Sequence, residues 1–273
     1  MCVDRRAALM QSYLMVKGVL LDVSGVLLDG DTVLPGAAEC IERLESAGLP
    51  VRFVTNTTRQ SKRQLAQHLR SHGIEVEVNG LFAPAAAACA WLKKNGYAPH
   101  LLVHPDLEED FAECLASGPC AVVIGDAAQA FTYDSLNAAF RKLQRGAPFL
   151  ALARNRTFKD RDGLLSLDAG AFVEALEYAS GTKAILFGKP SRDFFLAAVE
   201  SMGRHADDVV MVGDDVESDV AGALQAGIGA AILVRTGKYR AGDESQVEPP
   251  PTAVVASIEE ATRLILGMSA DGD

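Results

Sequence analysis

The segment Gly18-Val-Leu-Leu-Asp22-Val-Ser24-Gly25 opens on an unbroken apolar run, reaches a carboxylate and then turns. A strand that does not alternate polar with apolar residues is covered on both faces, as strands inside parallel sheets are. Residues 35–48 follow with helical spacing, Ala38, Ile41, Leu44 and Ala47 on one face and Gly48 as the stop. Val51-Arg-Phe-Val-Thr55 reads as the next strand, and Ser61-x-x-Gln64 as a capping box opening a helix that ends near Gly73. Strand, helix, strand, helix at this rhythm predicts parallel pairing and an α/β sheet.

The rhythm returns towards the C-terminus. Residues 184–187 read as a strand, and Pro190 stands at the first position of a helix ending near Met202. A strand at 209–212, a helix at 216–226 closed by Gly227, a strand at 230–234 and a helix at 258–266 complete it. Between the halves, 101–104, 121–124 and 148–153 read as strands, and 136–143 and 172–178 as helices. These make an α/β domain of their own. The expected organisation is an N-terminal extension at 1–14, a core from 15–80 plus 183–273, and an inserted domain at 81–182. Pro249-Pro250-Pro251 is expected in a surface connection.

With 273 residues, 49% of them apolar and 23% charged, the chain can bury a sizeable core, which excludes global disorder. Its 26 basic and 36 acidic residues give a net charge of −10, an unsuitable field for nonspecific nucleic-acid binding. No apolar run of about 20 residues is present, so no membrane span is expected. Cys2, Cys40, Cys89, Cys114 and Cys120 form neither a CxxC pair nor a zinc-ligand spacing. They read as thiols in a reducing, cytoplasmic setting.

Open parallel sheets bind ligands beyond the carboxyl ends of their strands. There Asp22 offers a nucleophile or a metal ligand, Thr55-Asn56 a hydroxyl and an amide for phosphoryl oxygens, and Gly188-Lys189-Pro190 a cation. Gly213-Asp214-Asp215-x3-Asp219 offers clustered carboxylates, which suit a hard cation such as Mg2+. Each has an ordinary reading as a turn residue, a helix cap or a solvated charge. Together at one sheet edge they supply the parts of phosphoryl transfer: nucleophile, clamp, cation and metal cage.

These four motifs resemble those of the haloacid dehalogenase (HAD) superfamily of phosphatases, and the likeness covers nearly the whole chain after residue 15. The long insert between the second and third motifs is similar to the C2-type cap of subclass IIA. The resemblance implies a Rossmann-like α/β core with a parallel sheet, carrying an inserted α/β cap. It implies that Asp22 attacks phosphorus and forms an aspartyl-phosphate. Mg2+ would be held by Asp22, the Ser24 carbonyl and Asp214, with Asp215 and Asp219 behind them. Val23 and Ser24 would line the phosphoryl pocket beside Asp22, and Thr55, Asn56 and Lys189 would hold its oxygens. The stretches at 131–133, 175–178 and 235–239 carry a closer likeness within the superfamily.

Ser24 departs from the pattern, which has a second Asp there to protonate the leaving group and later activate water. A hydroxyl cannot do this near neutral pH, and general acid–base help is worth about 10²–10⁴ in rate. Pyrophosphate and P–N bonds, whose leaving groups depart with less help, are therefore the expected substrates. The rival expectation is a weak or inactive phosphate-binding protein on the same scaffold. In the insert, Arg154 and Arg156 belong to the densest basic stretch, with Lys159 and Arg161, and are candidates for gripping a second phosphate. The expected partner is a small phosphorylated molecule, and a homodimer is left open, since capped relatives often pair. A receiver-type domain would be less than half this length. A nucleotide-dependent oxidoreductase would need GxGxxG where Asp22-Val-Ser-Gly stands.

Overall fold

The computed structural model describes residues 15–159 and 164–270, so the expected extension at 1–14 and Arg161 of the basic stretch lie outside the described residues. In chain order the elements begin with strands β1 (Gly18–Asp22), β2 (Leu28–Asp29) and β3 (Thr32–Val33), then helix α1 (Ala37–Ser46), β4 (Val51–Val54), α2 (Lys62–Ser71) and β5 (Leu81–Phe82). Next come α3 (Pro84–Asn95), β6 (Ala98–Leu102), β7 (Cys120–Ile124), α4 (Tyr133–Leu143), β8 (Phe149–Ala151), β9 (Thr157–Lys159), β10 (Leu165–Leu167), α5 (Ala169–Ser180) and β11 (Ile185–Leu186). The chain closes with α6 (Arg192–Ser201), β12 (Val209–Gly213), α7 (Gly222–Ala226), β13 (Ala230–Val234), β14 (Ala253–Val255) and α8 (Ile258–Ala270).

Two compact units result. The first takes the chain up to Thr55, Ala66–Phe82 and the chain from Lys189; the second takes Asn56–Leu65 and Ala83–Gly188. Relative to the expected insert at 81–182, the second unit also takes 56–65 and 183–188 and leaves Leu81 and Phe82 to the first unit. The physical reason for 56–65 is polar. Arg59 Nε donates to Asp126 at 2.5 Å, Lys62 N–H to Asp110 at 3.1 Å, and the Thr58 hydroxyl accepts from Asp126 N–H at 2.9 Å.

The first unit is built on a six-stranded sheet in the order β14-β13-β12-β1-β4-β5, with every pairing parallel. Strands β1, β12 and β13 are buried at every residue, as the unbroken apolar run at 18–21 requires. One face packs Leu20, Met211, Ala231 and Leu233 against Phe194, Phe195, Ala198 and Val199 of α6 and Ala223 of α7. On α1 the buried stripe is Ala37, Cys40, Ile41 and Leu44, rotated from the expected one: Ala38 is half-buried and Ala47 exposed. In the 56–65 segment of the second unit the Ser61–Gln64 capping box forms, with Ser61 N–H to Gln64 Oε1 at 3.0 Å and Gln64 N–H to Ser61 Oγ at 3.2 Å.

The second unit has its own parallel sheet, β11-β8-β7-β6, and a separate antiparallel β9–β10 hairpin. Its two cores are centred on Leu92, Leu107, Val123 and Leu150, and on Ile124, Phe149, Ala151 and Val173. Helix α3 is rich in alanine and carries no clear apolar period, so its sequence does not announce it. The expectation of five separate thiols is corrected in this unit. Cys89 of α3 and Cys114 are joined as a disulfide with Cα atoms 6.0 Å apart, because the turn at Pro105–Phe111 packs on α3. Cys40 and Cys120 are free thiols. Among the described residues, no helix is long and apolar enough to cross a membrane.

Candidate active site

Strands β1, β4 and β12 deliver Asp22, Thr55 and Asp214 to the carboxyl edge of the first unit's sheet, through the registers Asp22↔Val54 and Leu21↔Val212. The expectation that a fourth strand of this sheet delivers Lys189 is corrected. The strand before it, β11, belongs to the other sheet, and Lys189 begins the chain's return to the first unit. The helix after it starts at Arg192, not at Pro190, with Ser191 as its cap.

Asp22 is buried at the end of β1, and both of its hydrogen bonds fall on Oδ1: from Val23 N–H at 2.8 Å and from Lys189 Nζ at 2.7 Å. Lys189 Nζ also lies 2.7 Å from Asp219 Oδ1, a charge contact outside hydrogen-bond alignment. Val23 is buried, whereas Ser24 is exposed. Thr55 is buried, and its N–H donates to Phe82 O at 3.0 Å. Asn56, the next residue, begins the second unit, where its side-chain amide donates to Asn155 Oδ1 at 3.3 Å.

Residues 216–226, expected as one α-helix, begin instead with a π-helical turn at Val216–Ala221. Asp215 caps it by accepting from Glu217 N–H at 3.1 Å and Ser218 N–H at 3.0 Å. The wider turn carries Asp219 inward to full burial, where its Oδ2 accepts from Asp215 N–H at 3.2 Å. Asp22, Asp214 and Asp219 thus each offer a carboxylate oxygen within 4.8 Å of the others. Asp219 stands inside this cluster, whereas the sequence expectation put it behind the metal ligands.

Electrostatics follow from burial. Burial pushes the Asp22 carboxyl up, against the pull of Lys189. Asp214 is pushed up to about 6 by burial and the charge of Asp219. Asp219 is pushed up to about 7 by burial and the charge of Asp22. Burial also opposes the charge on Asp215, but Lys238 and the Ser218 N–H outweigh it and hold this carboxyl low. Lys189 stays charged: burial is overcome by Asp219 and Asp22. Four carboxylates thus face two ammonium groups, an excess of negative charge suited to a divalent cation. Asp214 Oδ1 is buried without a hydrogen-bond partner, and all three clustered donors are carboxylate oxygens, a set that fits a hard cation.

The stretch at 235–239, singled out in the sequence only for a family likeness and given no role at the site, forms the loop after β13, where Lys238 N–H donates to Asp214 Oδ2 at 2.7 Å and Lys238 Nζ lies 3.3 Å from Asp215 Oδ2. The signal was available, since β13 runs parallel to β12 and ends at the same edge. In the second unit Arg154 is engaged by carboxylates of its own unit. It donates to both oxygens of Glu177, at 3.1 and 3.0 Å, and to Glu174. Arg156 is exposed, and the side chain of Lys159 lies outside the described residues.

Two family models match the chain: haloacid dehalogenase-like hydrolase over residues 19–116 and HAD-hydrolase-like over 186–261. The chain is 42% identical over 257 residues to the phospholysine phosphohistidine inorganic pyrophosphate phosphatase of Mus musculus, covering 92% of this chain and 94% of that one. It is 43% identical over 251 residues to the haloacid dehalogenase-like hydrolase domain-containing protein 2 of Homo sapiens, covering 92% and 96%. Among solved structures, 4-nitrophenylphosphatase from Thermotoga maritima superposes with a TM-score of 0.83 at 26% identity, covering 91% and 97%. NagD from E. coli does so with a TM-score of 0.79 at 26% identity, covering 90% and 98%. The chain is an enzyme of the haloacid dehalogenase-like hydrolase family.

Proposed function

We propose that the chain is a Mg2+-dependent phosphatase that works through an aspartyl-phosphate on Asp22 and prefers P–O–P or P–N bonds to alkyl esters. The observation that carries this reading is the buried Asp22 held by Lys189 beside Asp214 and Asp219, with exposed Ser24 two residues on. Asp22, Asp214 and the Ser24 carbonyl would hold the cation, which supplies positive charge between the carboxylates and the phosphoryl oxygens. Asp215 would support it from behind, and Asp219 from behind or as a further carboxylate of the cluster.

The Asp22 carboxylate, its Oδ1 fixed by Val23 N–H and Lys189, attacks phosphorus with Oδ2. A P–O bond to Asp22 forms, and the leaving group departs with the electron pair of its own bond to phosphorus. Thr55, Asn56 and Lys189 hold the phosphoryl oxygens. Water then attacks phosphorus, the Asp22–phosphorus bond breaks with its electron pair going to the carboxylate, and the free Asp22 carboxylate is regenerated; both protons of the water leave with the phosphate formed. Ser24 gives neither proton donation nor base help, so the leaving group must depart unaided or carry its proton already. Pyrophosphate, leaving as phosphate, and phosphoramidates, protonated on nitrogen, meet that demand. The name of the mouse relative contains both bond types. The second unit serves as the cap in this reading.

The test is phosphate release by the purified full chain from pyrophosphate, a phosphoramidate, p-nitrophenyl phosphate and glycerol phosphate, with Mg2+ or with EDTA. Release should require Mg2+, disappear in Asp22→Asn and be fastest with pyrophosphate or the phosphoramidate. Release unchanged by Asp22→Asn would sink the mechanism, and clear preference for glycerol phosphate would sink the substrate class. Phosphate binding without any release would favour the rival reading of a binding protein, which the exposed Ser24 alone supports.

A further inference from the structure

Residues 235–239, distinctive in the sequence, close on the acidic cluster from the end of β13. The Thr236 hydroxyl donates to the carbonyl of Gly25, in the loop that follows Asp22. Tyr239 N–H returns to Thr236 O at 3.2 Å and closes the turn. Lys238 N–H donates to Asp214 Oδ2 at 2.7 Å, so this oxygen is occupied while Asp214 Oδ1, buried, has no hydrogen-bond partner.

Two glycines complete the arrangement. Gly25 has φ +84°, and a Cβ there would stand 2.1 Å from Asp214 Oδ2. Gly237 has φ +59°, and a Cβ there would stand 2.0 Å from the same oxygen and 2.6 Å from the Gly25 Cα. Both positions therefore need glycine twice over, for the left-handed backbone and for the close approach. The Asp214 carboxylate lies in a slot between two bare Cα atoms, with one oxygen tied to a backbone N–H.

We infer that the Thr236–Gly237–Lys238 turn is a positioning element: it ties the loop after Asp22 to Asp214 and presents Asp214 Oδ1 to the cation. This rests on the proposed metal-dependent function and adds the residues that set cation affinity. The turn acts through backbone and slot, whereas the Lys238 ammonium, 3.3 Å from Asp215 Oδ2, competes with the cation for the carboxylates. The two parts of the loop should therefore push affinity in opposite directions.

The test is direct binding of Mn2+ to the full chain, read by electron paramagnetic resonance of the free ion without substrate, with melting temperature measured in parallel. Gly237→Ala should raise the Mn2+ Kd at least tenfold, and Thr236→Val, nearly isosteric, several-fold. Lys238→Ala keeps the N–H and should lower the Kd several-fold. Excess Mn2+ should restore turnover in Thr236→Val, which a merely structural defect would not allow. An unchanged Kd in folded Thr236→Val and Gly237→Ala overturns the inference, and so does a raised Kd in Lys238→Ala. If Gly237→Ala does not fold, Thr236→Val and Lys238→Ala decide. Failure of the wild-type chain to bind Mn2+ at all would instead overturn the metal-dependent reading beneath.

Discussion

Lys189 Nζ lies 2.7 Å from Asp22 Oδ1, and both side chains are buried although 167 residues separate them. A buried charge without a partner is costly, so this pair and its third member, Asp219, stand or fall together. Lys189→Met keeps the length of the side chain and removes the charge. It should lower stability by about 3–5 kcal/mol, the usual cost of breaking a buried pair. The loss should be partly recovered when Mg2+ is added, because a cation can replace the missing positive charge. Thermal unfolding with and without Mg2+ checks this, and equal loss in both conditions would contradict it.

Ser24 is exposed two residues after Asp22, so a longer acidic side chain has room there. Ser24→Asp should raise turnover of glycerol phosphate by roughly 10²-fold, within the range general acid–base help supplies. Pyrophosphate should gain much less. The ratio of the two kcat/KM values is the readout, and an equal change in both would remove the leaving-group argument.

Glu177 is the buried hub of the second unit, accepting from Arg154, from Lys183 Nζ at 2.9 Å and from Ala184 N–H at 2.7 Å. Burial opposes its charge, but the Ala184 N–H and the Arg154 and Lys183 side chains outweigh it and bring the carboxyl from 4.5 down to about 2. A carboxyl lowered on folding adds stability above its unfolded value and loses it as pH falls towards the folded one. The contribution is about 3 kcal/mol at most. Glu177→Gln should therefore lower the melting temperature at pH 7, and the gap from wild type should close between pH 4.5 and about 2. A gap that stays constant over that window would contradict the assignment.

Arg154 is committed to Glu177 and Glu174, which alters what its removal should do. Arg154→Ala should lower the melting temperature and leave the KM for pyrophosphate within about twofold, while breaking a buried carboxylate's pairing costs a few kcal/mol. A KM rise of tenfold with unchanged melting would return Arg154 to the role in substrate binding that its sequence context suggested.

Much of the chain up to Gln64 is legible because its signals are local. The apolar run before Asp22, the Ser61–Gln64 box and the helix stop at Gly48 each depend on neighbours a few residues away. Lys189 was harder. Its strand-then-helix context pointed to the core sheet, yet β11 pairs with β8 in the other sheet. Pairing partners of a two-residue strand leave no periodic trace in its own sequence. The π-helical turn that buries Asp219 likewise has the sequence of plain helix, since a wider turn does not alter composition.

By itself the sequence determined the alternation that yields a parallel α/β sheet, the residue types at the strand ends and the absence of a second carboxylate at Ser24. Those are properties of covalent order and of short-range backbone preference. Only the tertiary structure decided which carboxylates share one cluster, that Arg154 faces Glu177, that Cys89 meets Cys114, and that Gly25 and Gly237 flank Asp214. Each of these joins residues distant along the chain, where burial, the pairing of charge and the room for a single Cβ are set by packing.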